Sequence, residues 1–167
     1  MAKVVLKLED DVSTDVIYPG RYMATVLPSE TPKYAFADHA VFNEKLNQGK
    51  IPAGSILVAG LNFGCGSSRE QAASCLQGHG LIVLAKSFSR IFMQNAVNVG
   101  LRVAVVSELE AKEGDELELA PNRVTNRTSS RDFAIQVLPK AYREIMEGGG
   151  LIAHARKKLL ERTHRTS

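Results

Sequence analysis

The chain is expected to fold as one α/β domain over residues 1–167, with a parallel α/β core, short antiparallel strands and C-terminal helices. Three observations carry that expectation. Residues 55–106 read strand, turn, helix, strand, helix, strand, the order that builds a parallel sheet with crossover helices. Leu81 to Ala85 is apolar without a break, as in a strand covered on both faces. After residue 106, short runs at Glu116–Leu119, Arg123–Asn126 and Phe133–Val137 sit between polar turns, which reads as antiparallel strands.

Each element follows from local chemistry. Val4 to Leu8 is a strand that stops at the acidic pair Asp10–Asp11. The segment VSTDVIYPGRYM holds Ser13, Asp15, Pro19 and Gly20, turn formers that predict an ordered loop rather than a helix. Residues 27–34, with Pro28 and Pro32, read as irregular and mobile. Phe36 to Leu46 is a short helix ending near Gly49, and Ile51 to Gly54 is a turn. Ile56 to Ala59 is a buried strand, and Gly60 to Ser68 is a glycine-rich turn. A helical pattern opens at Arg69, with Ala72, Ala73, Cys75 and Leu76 on one face, and ends at Gly78 or Gly80.

After the strand at 81–85, Ser87 is placed to cap a helix carrying Ile91, Phe92, Ala96 and Val99, and Gly100 occupies its C′ position. Val103 to Val106 is the next strand. Pro139–Glu147 and Leu151–Arg162 read as helices parted by Gly148, Gly149 and Gly150. There is no internal repeat and no low-complexity stretch.

The bulk numbers narrow the function classes. Apolar residues make up 44% and charged residues 23%, an ordinary soluble globular balance. The net charge of +3 and an aromatic content of 6% argue against nucleic acid as a partner. Much of the positive excess lies in Arg156, Lys157, Lys158, Arg162 and Arg165, which reads as a solvated helix face. The two cysteines, Cys65 and Cys75, make no disulfide framework. They are also too few to hold a four-iron cluster, which takes about four ligands. The opening MAKVVLKLED is too short and too charged for a signal peptide, and no apolar run reaches the ~20 residues of a membrane span. The cytoplasm is the expected compartment.

The chemistry concentrates in GLNFGCGSSREQA, residues 60–72. Glycines allow close backbone approach, and a helix start offers unpaired N–H groups and partial positive charge. Ser67, Ser68 and Arg69 at that place make a receptor for a carboxylate or phosphate, and the planar arginine fork suits a carboxylate. The plainer alternative is that Ser67 or Ser68 only caps the helix while Arg69 pairs with a surface acid. A second candidate is the loop at 11–23 with Asp15, Arg21 and the Pro19–Gly20 turn. Its plainer alternative is an Asx or N-cap turn beside a surface arginine.

Residues 11–23 and 60–101 together resemble the small-subunit family of isopropylmalate dehydratases, which corresponds to the C-terminal swivel domain of aconitase-type enzymes. The stretches that carry the likeness are STDVIYPGRYM, GLNFGCGSSREQA and AKSFSRIFMQNAVNVGL. The likeness spans most of residues 4–106, and AYREIMEGGGLIAHARKK resembles the family's C-terminal end.

The resemblance implies a swivelling β/α domain. It implies a hydro-lyase that interconverts 2-isopropylmalate and 3-isopropylmalate by dehydration and rehydration in leucine biosynthesis. The Lewis acid would be a 4Fe-4S cluster on a separate large subunit, with no metal or cofactor on this chain and a small dicarboxylic hydroxy acid as substrate. By motif, Ser67 corresponds to the serine that takes the proton. Ser68 and Arg69 correspond to groups that hold substrate carboxylate, with Asp15 and Arg21 as the substrate-binding members of the loop.

Tyr22, Met23, Ala24 and Thr25 correspond to a specificity loop. Relatives that read a third carboxylate carry arginine at the place of Ala24. An apolar residue there suits isopropyl or methyl, because a buried unpaired carboxylate costs several kcal/mol. Gln71 replaces a histidine found in many relatives and receives no catalytic role. Dehydratases of methyl-substituted malates or homoaconitate, and a non-catalytic anion-binding module, remain the competing readings. Without its large subunit, the chain has the docking surface free for self-association.

Overall fold

The structure is a computed structural model and describes residues 1–165. Four strands, β1 (Ala2–Lys7), β2 (Ile56–Ala59), β3 (Ile82–Ala85) and β4 (Arg102–Val105), pair in parallel in that spatial order. Three more, β5 (Glu116–Ala120), β6 (Arg123–Asn126) and β7 (Arg131–Ala134), pair antiparallel, and β5 joins the other side of β1. The whole sheet runs β4-β3-β2-β1-β5-β6-β7.

The connections explain the layers. A parallel crossover is right-handed in nearly every protein. Here each successive crossover steps in the same direction, so the α-helices of the crossovers land on one face. They are α1 (Thr14–Ile17), α2 (Ala40–Asn47), α3 (Glu70–Gly78) and α4 (Arg90–Val99). Leu57, Ala59, Val83, Ala85 and Val103 point into that helical layer. Their neighbours Ile56, Val58, Ile82 and Leu84 face a second core with Leu117, Val124 and Phe133 from the antiparallel strands. The parallel sheet is thus covered on both faces, as the unbroken 81–85 run requires, but its second cover is sheet rather than helix.

Two details build the curl. A register shift between Val4 and Leu6 turns β1, so that Val4 lies in the second core and Leu6 in the helical one. A bulge of this kind bends its strand and adds twist. Beyond β7, the Gln136 N–H donates to the Val105 carbonyl at 2.8 Å, bringing the antiparallel end back to β4 at the opposite edge. That cross-link also corrects the expected Phe133–Val137 strand. Regular pairing with β6 covers Arg131–Ala134, and the chain after it leaves β6 for β4.

Other boundaries move for identifiable reasons. The 13–17 segment holds a short helix, because Ser13 caps it by accepting from the Val16 N–H at 3.3 Å. Residues 31–34 form a 3-10 turn pinned by Thr31, whose hydroxyl lies 3.0 Å from that of Ser74 in the interior. Helix α2 starts at Ala40 rather than Phe36, which has φ +52° and belongs to the turn before it. Ser89, not Ser87, caps α4. Helices α5 (Lys140–Glu147) and α6 (Leu151–Arg165) pack on α4. Arg156, Lys157 and Lys158 are exposed, and the side chains of Arg162 and Arg165 lie outside the described residues.

The end of α4 meets the α5–α6 turn backbone to backbone. Gly100 has φ +75°, and a Cβ on it would lie 2.7 Å from Gly149 C and Gly150 N. Gly100→Ala is expected to lower stability by on the order of 2 kcal/mol, combining left-handed strain with the clash. Gly49→Ala, at φ +66° with open space around it, should cost less. Urea unfolding of both variants checks this, and equal costs would remove the packing part of the argument.

Candidate active site

The loops that leave β1 and β2 at their C-terminal ends lie side by side, the usual place for a ligand in a parallel sheet. They are laced together from one end. The Asp10 carboxylate accepts from the Leu61 N–H at 2.7 Å, and the Asp11 carboxylate from Asn62 Nδ2 at 2.7 Å. The Gly64 N–H donates to the Val12 carbonyl at 2.7 Å, and the Thr14 N–H to the Cys65 carbonyl at 2.8 Å.

Behind this lacing the turn rests on aromatic rings. Phe63 is fully buried and meets Phe92 edge-on at 5.1 Å. Gly64 has φ +79°, and a Cβ there would fall 2.2 Å from the Phe92 ring. The Ser89 hydroxyl donates to the Gly64 carbonyl at 2.7 Å, while Ser87 accepts from the Asn62 N–H at 2.8 Å. The serine expected to cap α4 therefore holds the site turn instead.

The turn delivers Ser67 and Ser68 to solvent, both exposed. The Ser67 N–H donates to Thr14 Oγ1 at 3.2 Å, and the two hydroxyl oxygens of Ser67 and Thr14 are 3.1 Å apart. Arg69, not either serine, occupies the N-cap of α3, with extended backbone and no side-chain cap bond. The cap alternative for the serines is therefore removed, because the helix begins at Glu70, three residues after Ser67 and two after Ser68. Asn95 donates to the Ser68 carbonyl at 3.2 Å. Among the described residues, the Ser68 hydroxyl and the N–H groups of Ser68 and Arg69 have no protein partner. Such an arrangement can accept an anion.

Arg69 lies mostly inside, its side chain 14% exposed against 65% for Asp15, with which it pairs. The same Nη1 donates to the Tyr18 carbonyl at 3.3 Å, and its buried Nε has no partner. Asp15 also accepts from the Gly20 N–H at 2.9 Å. A Cβ on Gly20 would sit 3.1 Å from Arg69 Nη2 and 3.3 Å from the Asp15 carboxylate, so the Pro19–Gly20 turn lies against this pair. The Arg69 guanidinium, then the Gly20 N–H, hold the Asp15 carboxyl below the usual aspartate range.

Arg21 is not gathered into this group. It forks onto Asp38, with one bond at 3.2 Å, and its guanidinium lies 4.7 Å from the Tyr22 ring centre. That pairing raises the arginine and lowers the Asp38 carboxyl. Of the loop residues, Tyr22 stacks on Tyr34 at 4.1 Å, and Tyr18 donates its hydroxyl to the Tyr22 carbonyl at 3.1 Å. Gln71 reaches the Met23 carbonyl at 3.5 Å. Met23 and Ala24 are exposed, and Thr25 is half-buried. Sequence reasoning singled out the Pro19–Gly20 turn but missed Thr14, Tyr18 and Asp38. Thr14 and Tyr18 sit inside the singled-out loop, whereas nothing local marks Asp38 as the partner of Arg21. Two cavities of about 980 and 620 Å³ lie elsewhere, against β5 and the opposite ends of the parallel strands.

The sign of the Asp15 effect is definite. A carboxyl lowered by folding contributes its pairing above its unfolded pKa of ~3.9 and loses it as pH falls through the lowered value. The Asp15–Arg69 pair is therefore complete at neutral pH. Carboxyl-carbon NMR should show Asp15 titrating below pH ~3.9, and moving up toward that value in Arg69→Gln. A titration unaffected by Arg69→Gln would contradict the pairing.

With this geometry established, comparison with known proteins is direct. The model of the aconitase C-terminal domain family matches residues 12–106. The 3-isopropylmalate dehydratase small subunit of Methanosarcina mazei is 42% identical over 160 residues, covering 93% of this chain and 96% of that protein. The isopropylmalate/citramalate isomerase small subunit of Methanocaldococcus jannaschii is 40% identical, covering 94% of each. The crystal structure of a 3-isopropylmalate dehydratase from the latter organism superposes with a TM-score of 0.85 at 36% identity, covering 98% of this chain and 97% of that one. The chain belongs to the aconitase C-terminal domain family and, within it, to the 3-isopropylmalate dehydratase small subunits.

Proposed function

We propose that this chain works in the cytoplasm as one domain that completes a hydro-lyase site on an iron–sulfur large subunit. The reaction is the interconversion of 2-isopropylmalate and 3-isopropylmalate in leucine biosynthesis. One observation carries the reading: an exposed hydroxyl pair, free N–H donors and an inward-held arginine stand together on an open face, a receptor with only one wall.

The other wall comes from the partner. A cluster takes about four ligands, usually cysteine, and this chain has two. Cys75 is sealed in the core, where burial pushes its thiol up. Among the described residues, no three His, Cys, Asp or Glu side chains are grouped to hold a metal. The residues present do not fit the cluster, which is assigned to the large subunit. Bound there, it supplies Lewis acidity for loss of the hydroxyl.

The share of this chain is proton handling and anion binding. Ser67 Oγ, its own proton lost to form the alkoxide, takes the proton from the carbon next to the one bearing the hydroxyl, becomes the neutral hydroxyl, and returns that proton to carbon when the hydroxyl adds back. A serine is a poor base in water, so its anion needs donors and a nearby cation in a site that the partner closes. Ser68 and the N–H groups at the start of α3 hold a substrate carboxylate. Arg69 supplies positive charge, with Asp15 and Gly20 fixing its place. Arg21, seated on Asp38, orders the loop at 22–25 and binds substrate once the partner shapes the cleft.

Ala24 leaves room for an apolar substituent. Citramalate in the name of the M. jannaschii relative makes a methyl-bearing malate the second reading. The open face takes no nucleic acid or membrane in this account, and no helix among the described residues is long and apolar enough to cross one.

Ser67→Ala, assembled with an iron–sulfur large subunit, is expected to lose about 10²–10⁴-fold in kcat, the usual share of a general base. Co-elution of the two subunits should be unchanged. Near-normal kcat would sink the base assignment. Ala24→Arg is expected to shift kcat/KM toward substrates with a third carboxylate. Steady-state kinetics on isopropylmalate and homoaconitate would expose an unchanged preference, and with it a wrong view of the loop.

A further inference from the structure

Thr14 is the least explained member of the site. It is 2% exposed, opens α1 and is held by its own N–H to the Cys65 carbonyl at 2.8 Å. Its hydroxyl oxygen accepts the Ser67 N–H at 3.2 Å and lies 3.1 Å from Ser67 Oγ. Which oxygen donates in that pair follows from counting partners. A hydroxyl has one proton to give and two lone pairs. One lone pair of Thr14 is taken by the Ser67 N–H, and its proton has no acceptor among the described residues except Ser67 Oγ. A buried donor left unmade costs about 1–3 kcal/mol, so Thr14 donates. Ser67, being exposed, keeps its own proton and its remaining lone pair for the cleft.

We propose that Thr14 is the positioning residue for Ser67, grasping it at backbone and side chain and donating the hydrogen bond that favours its anionic form. This rests on the reading of Ser67 as the base. The two contacts fix both the place of the Ser67 main chain and the direction of its oxygen. A hydrogen bond given to an anion favours that anion. It strengthens when a partner excludes water and lowers the local dielectric. A β-branched threonine suits the task because its χ1 is stiff. Its backbone is tied to the same turn, so donor and acceptor move together.

The test uses two readouts. In the assembled enzyme, Thr14→Val is expected to lower kcat roughly tenfold and to move the limb of the pH–rate profile along which activity rises with pH up by about one unit. KM and subunit co-elution should stay as in wild type, and Thr14→Ser should restore rate and profile. In the isolated full chain, Ser67→Cys places a thiol at the same point. Its alkylation by iodoacetamide across pH, located by mass spectrometry, reports its pKa without partner or turnover. Thr14→Val in that background should raise it by roughly one unit, and Thr14→Ser should leave it unchanged. Thr14→Ala replaces Thr14→Val if the latter does not fold by circular dichroism.

A thiol with the same pKa beside threonine and valine overturns the inference, as does a valine variant with wild-type kcat and profile. A wild-type assembly without turnover would instead overturn the proposed function. The thiol readout is independent of that result.

Discussion

The arrangement depends on the lacing between residues 10–14 and 61–67. Two backbone hydrogen bonds, from Gly64 to Val12 and from Thr14 to Cys65, set two loops in register that are some fifty residues apart in sequence. Everything polar at the site hangs from that register. It brings Thr14 to Ser67, and just beyond them it brings Asp15 to Arg69. The register is held from behind by Gly64 against Phe92, where a side chain has no room. A site built on loops gains precision when rigid elements support it, and here the support is the parallel sheet below and the Phe63–Phe92 contact behind.

The electrostatics divide the face into two ion pairs. Asp15–Arg69 lies inward and Arg21–Asp38 outward, and the lowering of both carboxyls by their arginines keeps both pairs charged at neutral pH. Exposed ion pairs contribute little to stability. Their consequence here is geometric: each guanidinium is held in a fixed place. Arg69 is held by Asp15 and the Tyr18 carbonyl while its Nε lacks a partner. An inward cation with unused donor capacity fits the proposed role of meeting a substrate carboxylate. Aiming it beforehand reduces the ordering cost of binding.

Much of this was legible in the sequence, and the gaps have physical causes. The β-α-β-α-β run at 56–105 stood out because period, glycine stops and buried apolar strands agreed. The antiparallel strands were legible as a group, but the departure of the chain from β6 to β4 after Ala134 depends on tertiary curl, which no local pattern encodes. The helix at Thr14–Ile17 reads as loop from sequence because four residues are too few to show a period. The Ser-Ser-Arg turn and the loop with Asp15 were singled out separately. Their union through Thr14 was not visible, since a threonine beside an aspartate looks like an ordinary turn residue. Arg21 was grouped with the site by motif, whereas its actual anchor, Asp38, lies in a stretch with no distinctive chemistry.

In the proposed function, proton handling resides on this chain and the Lewis acid on the large subunit. Titrating purified chain into a fixed amount of cluster-bearing large subunit, while following loss of alkylmaleate absorbance, tests this directly. Turnover should be absent from the chain alone and should rise to a plateau at one small subunit per large subunit. Sustained turnover by the chain alone, in iron-free buffer with chelator, would contradict the account.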